Sequence, residues 1–303
     1  MTLARSDALI SLKPRRRSIG SALTALVAVA PLIVGPLALL VVFALIPIGL
    51  TLVETLTSET GAFPSVSRYA AFFADGYSRA NLLYTIVQTL VSTLTVLTAS
   101  LIIALQLRFG RGRVSAVIQG LALFPLFVPG IIVAYALIRF LGPNGSLQIL
   151  LEHAGLTGWF RSPYLTPTGP FLGFVWENLP LPVLILTAGL AQVSGHGVEA
   201  ARDLGAGIGR ILVEIILPQV QRSLLIAFSL TFLSIFGAYT VPYLLGPAAP
   251  EMMGVFMQRT YSNLGEPVAA EVQAVLSFLI CAVVAAFYVH ALTQEQGATE
   301  ASG

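Results

Sequence analysis

Lysine is almost missing from this chain: Lys13 is the only one among 303 residues, and the remaining side-chain cations are arginines apart from three histidines. A P-loop ATPase needs a glycine-rich loop ending in Gly-Lys-Ser or Gly-Lys-Thr, because that lysine holds the terminal phosphates. Lys13 precedes Pro14 in a tail without those glycines, so the chain is not an ATPase of that kind. The histidines, His153, His196 and His290, lie far apart, and neither His-Glu-x-x-His nor Gly-x-Ser-x-Gly occurs. A metal site or a serine nucleophile therefore lacks its usual pieces. His196, between Gly195 and Gly197, reads as a turn residue near a helix start. The single cysteine, Cys281, cannot form an intrachain disulfide and reads as a small apolar core residue. Charged residues reach only 10%, against about 25% in a soluble domain. No basic patch interleaved with aromatics suggests nucleic acid. Internal repeats and low-complexity segments are absent too.

What fills the chain is apolar: 56% hydrophobic residues and a mean hydropathy of +0.87. The runs follow one another with short gaps, which predicts a single all-α integral membrane domain. Arg15-Arg16-Arg17 ahead of the first run imitates a signal peptide. That run continues uncharged from about 19 to 53, far past the roughly 7–15 residues of a cleavable core, so it reads as a retained anchor. Six transmembrane helices are expected, within 21–53, 82–107, 114–141, 170–191, 223–245 and 268–292. Proline punctuates them: Pro31, Pro36 and Pro47 in the first, Pro125 and Pro129-Gly130 in the third, Pro180 and Pro182 in the fourth. Each removes a backbone donor and offers a kink. The expected organisation is an N-terminal tail (1–20), a six-span domain (21–293) and a C-terminal tail (294–303).

Arginine orients the spans. Six crossings put both termini on one side. The N-terminal tail, the turn at Arg108, Arg111 and Arg113, and the loop with Arg202, Arg210 and Arg222 share that face. The other face has Arg68, Arg79, Arg139, Arg161 and Arg259, spread over longer loops. By the positive-inside rule the first face, with both termini, is cytoplasmic.

The loop at 193–222 is the large charged island on that face. Its core, Glu199 to Pro218, reads as a short helix around Glu199, Ala200, Ala201 and Asp203, broken by Gly205, Gly207 and Gly209. An apolar stripe at helical spacing follows, Ile211, Leu212, Ile215 and Ile216, and is expected to end just before Pro218. So many charges cannot stay in hydrocarbon. Glu199, Ala200, Ala201, Gly205, Ile215, Leu217 and Pro218 fall on the pattern Glu-Ala-Ala, three residues, Gly, nine residues, Ile, one residue, Leu-Pro. This spacing resembles the cytoplasmic signature loop of the membrane subunits of binding-protein-dependent ABC importers.

The resemblance implies a type I ABC importer permease fold in a bacterial or archaeal plasma membrane. Two membrane subunits, identical or related, form the pathway; nucleotide-binding ATPase subunits sit below, and an extracytoplasmic substrate-binding protein docks outside. This chain would supply half of the pathway and bind no cofactor, with ATP and Mg on the partner ATPase. Carried over, Glu199, Ala200, Ala201 and Gly205 would be docking contacts, while Ile215, Leu217 and Pro218 would set the return into the fifth span. Further segments, Arg139 to Asn144 with Gly145-Ser-Leu-Gln, and Phe236 to Gly246, resemble the spermidine/putrescine permease branch. A polyamine or similar small solute is the substrate this implies.

Polar groups inside spans are the remaining candidates. Trp176, Glu177 and Asn178 form a cluster in the fourth span, where a carboxylate is expensive unless it faces a cavity or partner. Ser234 and Tyr239 belong to a small and polar series in the fifth span, suited to lining a path or to a tight helix seam. The alternative from another class is an ion-gradient-driven secondary transporter, with Glu177 as a coupling-ion site. That reading leaves the signature loop unexplained.

Overall fold

The computed structural model describes residues 34–300 apart from 59, 111 and 157–159, with side chains up to 290. The expected tail at 1–20 and the start of the first span lie outside the described residues. Two units divide the chain, 1–54 and 55–303. The first unit holds all of α1 (Val34–Thr55) but its last residue; this helix exposes Leu37, Phe43 and Leu50 and is long and apolar enough to cross a bilayer.

In the second unit the described elements are all helical. They are α2 (Ser67–Ala74), α3 (Gly76–Phe109), α4 (Arg113–Leu123), α5 (Gly130–Leu141), α6 (Ser146–His153), α7 (Thr168–Asn178) and α8 (Pro180–Ala191). Then come α9 (Gly195–Asp203), α10 (Ile208–Phe236), α11 (Thr240–Leu245), α12 (Met253–Ser262) and α13 (Pro267–Glu300). Among the described residues five helical stretches are long and apolar enough to span a membrane, six if α7 and α8 count as one span bent by 45°. Pro180 and Pro182 account for the bend, since neither has an N–H to continue the ladder.

The third expected span is broken where the sequence placed its prolines. Phe124–Phe127 tightens into a 3₁₀ turn, Val128 is extended, and α5 starts afresh at Gly130. The fifth differs from expectation at both ends. Helix α10 begins at Ile208 and runs straight through Pro218, so the predicted stop before that proline is not there. A π turn at Leu212–Ile216 explains it: Leu217 donates to Leu212 O, five residues back, and the widened turn makes room for a residue that has no N–H. The same device, Val41–Leu45, precedes Pro47 in α1. At its other end α10 stops at Phe236, and α11 is a separate short helix. Helix α13 continues through the expected C-terminal tail as far as Glu300.

Helix α3, 34 residues long, is a main packing axis. Its buried stripe, Asn81, Thr85, Gln88, Ser92, Val96, Ser100 and Ala104, recurs at helical spacing and is made of small or polar residues. Such residues let helices approach closely where lipid supplies no hydrophobic drive between them. Helices α8 and α10 pack on this stripe. Gln88 Nε2 donates to Pro167 O at 3.2 Å and Ser100 Oγ to Leu179 O at 3.3 Å, so α3 satisfies carbonyls at the start and at the bend of the fourth span.

Candidate functional site

The Glu199–Pro218 loop is built around α9, which is bounded by two capping devices. Ser194 is the N-cap, its hydroxyl accepting from Gly197 N at 3.4 Å. At the other end Gly205 takes φ +82°, Gly205 N donates to Arg202 O and Ala206 N donates to Ala201 O, both at 2.9 Å. That pair of bonds is a Schellman motif, and the left-handed φ is why glycine stands there. His196 sits in the first turn of α9, as expected.

One face of this loop is sunk into a core. Val198, Ile211, Ile216 and Val220 are buried together with Leu186 and Leu190 of the fourth span, Val193 just beyond it, and Ala104 of α3. The other face is open, with Glu199, Ala200, Arg202, Asp203 and Gly205 exposed. Leu204 is 90% exposed and Ile208 80%, apolar side chains with no internal packing on a charged surface. Between them Leu204, Gly205, Arg210, Ile211 and Glu214 line a cleft of about 450 Å³. The signature residues thus split: Glu199, Ala200, Gly205 and Pro218 face outward, while Ala201, Ile215 and Leu217 are half-buried. The pair Arg210–Glu214, 2.9 Å apart and well exposed, contributes about 0.5 kcal/mol at most.

The intramembrane candidates separate into those the fold brings together and those it leaves apart. Trp176 meets Phe124 edge to face, ring centroids 6.2 Å apart. Glu177 is exposed and lies over Gly130, where a Cβ would come within 2.5 Å of Glu177 Oε1. The breaks in the third and fourth spans therefore meet at Trp176 and Glu177. Asn178 turns back on its own helix, donating from Nδ2 to Phe174 O at 3.1 Å. Ser234 is exposed on α10, and Tyr239, also exposed, stacks on Tyr243 at 5.2 Å. Among the described contacts none joins Ser234 or Tyr239 to Glu177.

A third cluster was not legible in the sequence. Glu251 is only 5% exposed, in the segment between α11 and α12. Arg259 Nη2 reaches Glu251 Oε1 at 2.6 Å, and Tyr77 donates its hydroxyl to the same oxygen at 2.9 Å. Arg259 also donates to Tyr77 Oη at 2.7 Å and lies 5.2 Å from the centroid of its ring. From α3, Asn81 Oδ1 accepts from Glu251 N at 3.0 Å and Thr85 Oγ1 from Met253 N at 2.8 Å. Burial pushes the Glu251 carboxyl up from its ordinary value, while the Tyr77 hydroxyl and the Arg259 charge pull it back. Read along the chain, Glu251 and Arg259 stood in an unremarkable loop; their partners on α3 are 170 to 182 residues away. Beside the cluster, Arg68, Asp75, Arg259, Glu266 and Gln273 help line an open groove of about 790 Å³.

With this geometry in place, the sequence can be set against known proteins. Residues 96–294 match the family described as the binding-protein-dependent transport system inner membrane component. The chain belongs to that family. It is a permease subunit of an ABC importer, a multi-pass inner-membrane protein with the type I fold. The spermidine/putrescine transport system permease protein PotB of Escherichia coli K12 is 26% identical over 238 residues, covering 74% of this chain and 83% of PotB. The inner membrane ABC transporter permease protein YdcU of the same organism is 28% identical over 178 residues, covering 54% of this chain and 57% of YdcU. In the solved structures, a chain of a bacterial ABC transporter involved in importing the acidic polysaccharide alginate superposes with a TM-score of 0.74 at 15% identity. It covers 89% of this chain and 96% of that one. A second structure of the alginate transporter, bound to an alginate pentasaccharide-loaded periplasmic protein, gives the same TM-score over 90% of this chain and 96% of that one. At that identity the likeness speaks for the fold alone. Family membership replaces the ion-gradient alternative.

Proposed function

We propose that this chain forms one half of an importer pathway and takes its drive from a separate ATPase through the Glu199–Pro218 loop. The observation that carries the reading is the open face of α9. A short, doubly capped helix presents Glu199 and Ala200 to solvent, with exposed Leu204 at its C-cap and exposed Ile208 at the start of α10, while Val198 is sunk into the core shared by α3, α8 and α10. Exposed leucine and isoleucine need a partner surface, and small Ala200 lets a partner backbone come close. ATP and Mg belong to that partner, and both termini of this chain lie with α9 on the cytoplasmic side, which the arginine distribution supports. A second permease subunit covers the Trp176–Glu177 face. An exposed carboxylate between two broken spans is too costly against lipid and is accommodated at a protein–protein or water-filled boundary. On this reading Trp176 and Glu177 form part of the pathway wall, with Asn178, Ser234 and Tyr239 as further lining.

An extracytoplasmic substrate-binding protein delivers the solute to the opposite face, where the groove beside Arg259 opens. The relatives named for spermidine and putrescine, with the carboxylate of Glu177, favour a cationic polyamine or a similar small solute. Gentle extraction from the native membrane tests the whole reading. A P-loop ATPase that co-purifies and cross-links to Ala200→Cys is the expected result. A chain that emerges alone and leaves Ala200→Cys unlinked would overturn it.

A further inference from the structure

The fourth span ends at Ala191, and the chain turns through Gln192 and Val193 into α9. At the helix end, the Leu190 carbonyl, which already accepts from Val193 N at 3.2 Å, and the Val193 carbonyl both take a donor from one side chain of another helix. Arg108, in the last turn of α3, donates from Nε to Leu190 O at 3.0 Å and from Nη2 to Val193 O at 3.3 Å. The guanidinium spans the junction, holding the last turn of α8 and the first residues of the loop with a rigid two-pronged grip. It also lies 5.4 Å from the ring centroid of Phe109, which limits the positions it can take. Below the clamp, Leu190 and Val193 are buried with Val198 of α9 and Ala104 of α3.

Followed the other way, α3 runs unbroken to the Glu251–Arg259 cluster, which it holds through Tyr77, Asn81 and Thr85. Asn81 and Arg108 are about 40 Å apart along a helix of ordinary rise. One rigid element is thus tied to the approach of α9 by part-buried bonds at one end, and to the Glu251–Arg259 loop by the buried bonds of Asn81 and Thr85 at the other. Gln88 and Ser100 tie it to the fourth span in between.

We propose that Arg108 is the positioning residue that makes α3 move with the Glu199–Pro218 loop, so that a displacement of α9 is delivered to the Glu251–Arg259 segment. The inference rests on the reading of α9 as the ATPase contact. Arg108 touches neither that contact face nor the Trp176–Glu177 wall; it joins the loop to the spans.

The test is a reconstituted complete importer in proteoliposomes, scored as solute taken up per ATP hydrolysed. Arg108→Gln is expected to assemble and keep basal ATP hydrolysis, yet to lose the uptake ratio severalfold. Arg108→Lys, which keeps the charge without the two-pronged geometry, is expected to recover part of it. A wild-type ratio in Arg108→Gln overturns the inference. Against a possible folding defect, the unsubstituted clamp is probed directly. Spin labels at the exposed Ile102 of α3 and at Gln192 should keep one separation with and without ATP, and a change in that separation overturns it. Ala200→Cys keeps the two readings apart. If it cross-links to the ATPase while Arg108→Gln retains the wild-type ratio, only the role of Arg108 falls. If it does not cross-link, the docking reading falls first.

Discussion

The carboxylate of Glu177 rests on the α-carbon of Gly130, at a point where two broken spans cross. No Cβ fits between them: it would sit 2.5 Å from Oε1 and 3.1 Å from the carboxyl carbon. Gly130 starts α5, so the acid lies beside the positive end of that helix, and its position depends on the absence of one methyl group.

Substitution at Gly130 should therefore act through Glu177. Gly130→Ala moves only the end of a flexible side chain and is expected to fold normally while changing uptake. Glu177→Gln keeps the shape and removes the charge. It is expected to lower the rate or apparent affinity for a cationic solute by about tenfold, the equivalent of about 1.4 kcal/mol. Uptake by the two variants, measured with assembly as a control, checks both. Unchanged kinetics in Glu177→Gln would return that carboxylate to a structural role.

At the Glu251–Arg259 cluster, one charge should not be removable without the other. Arg259→Met leaves Glu251 buried without its cation, and a hydrogen bond to a charged group is worth about 1.5–3 kcal/mol. Adding Glu251→Gln to Arg259→Met relieves the unpaired charge, so the double variant is expected to melt above Arg259→Met alone. Thermal unfolding in detergent, as a double-mutant cycle, makes the comparison. Equal and additive losses would mean that the contact at 2.6 Å carries no coupling.

How much of this was readable from residues alone depended on whether the signal was local. The signature loop was legible because its pattern lies within twenty consecutive residues. Gly205 ends α9 by local chemistry that a sequence displays, whereas the start of that helix, capped by Ser194, lies ahead of the Glu199 turn that the sequence reading singles out. The breaks at Pro129 and Pro180 were equally visible, since each proline loses its own N–H. Pro218 misled for the opposite reason. A five-residue π turn absorbs it, and nothing in Leu-Val-Glu-Ile-Ile announces that turn. Glu251, Arg259 and Arg108 were missed as partners because their side-chain hydrogen bonds go to carbonyls and side chains more than eighty residues away, apart from the Glu251–Arg259 pair itself. A long-range polar contact has no periodicity.

Gly205 offers a test that separates backbone from surface. Its φ of +82° disfavours any L side chain, although nothing lies within 4 Å of the position a Cβ would take. Gly205→Ala therefore meets no clash and costs about 1–2 kcal/mol of local strain. Gly205→Asn is tolerated better, because asparagine enters the left-handed region more readily. If α9 must hold its shape to engage the ATPase, co-purification should fall with Gly205→Ala and recover with Gly205→Asn. Equal losses in the two would mean that the partner reads the bare glycine surface instead.

Acid should loosen the N-terminal end of α3 before its middle. Asp75 is the N-cap of that helix, with Oδ2 accepting from Ser78 Oγ at 2.6 Å and from Ser78 N at 2.8 Å. These bonds, the side-chain one foremost, hold its carboxyl below the ordinary value, and Arg79 adds to the effect. The sign follows from linkage. The folded state favours the ionised form, so this stabilisation is full above the unfolded carboxyl pKa of about 4 and fades as pH falls through the lower folded value. Asp75→Ala removes the cap at every pH, at a cost of about 1 kcal/mol. The gap in melting temperature between wild type and Asp75→Ala should therefore be constant near neutrality and shrink below about pH 4. A gap that stays the same into acid would show that the cap works through the shape of the turn rather than through its charge.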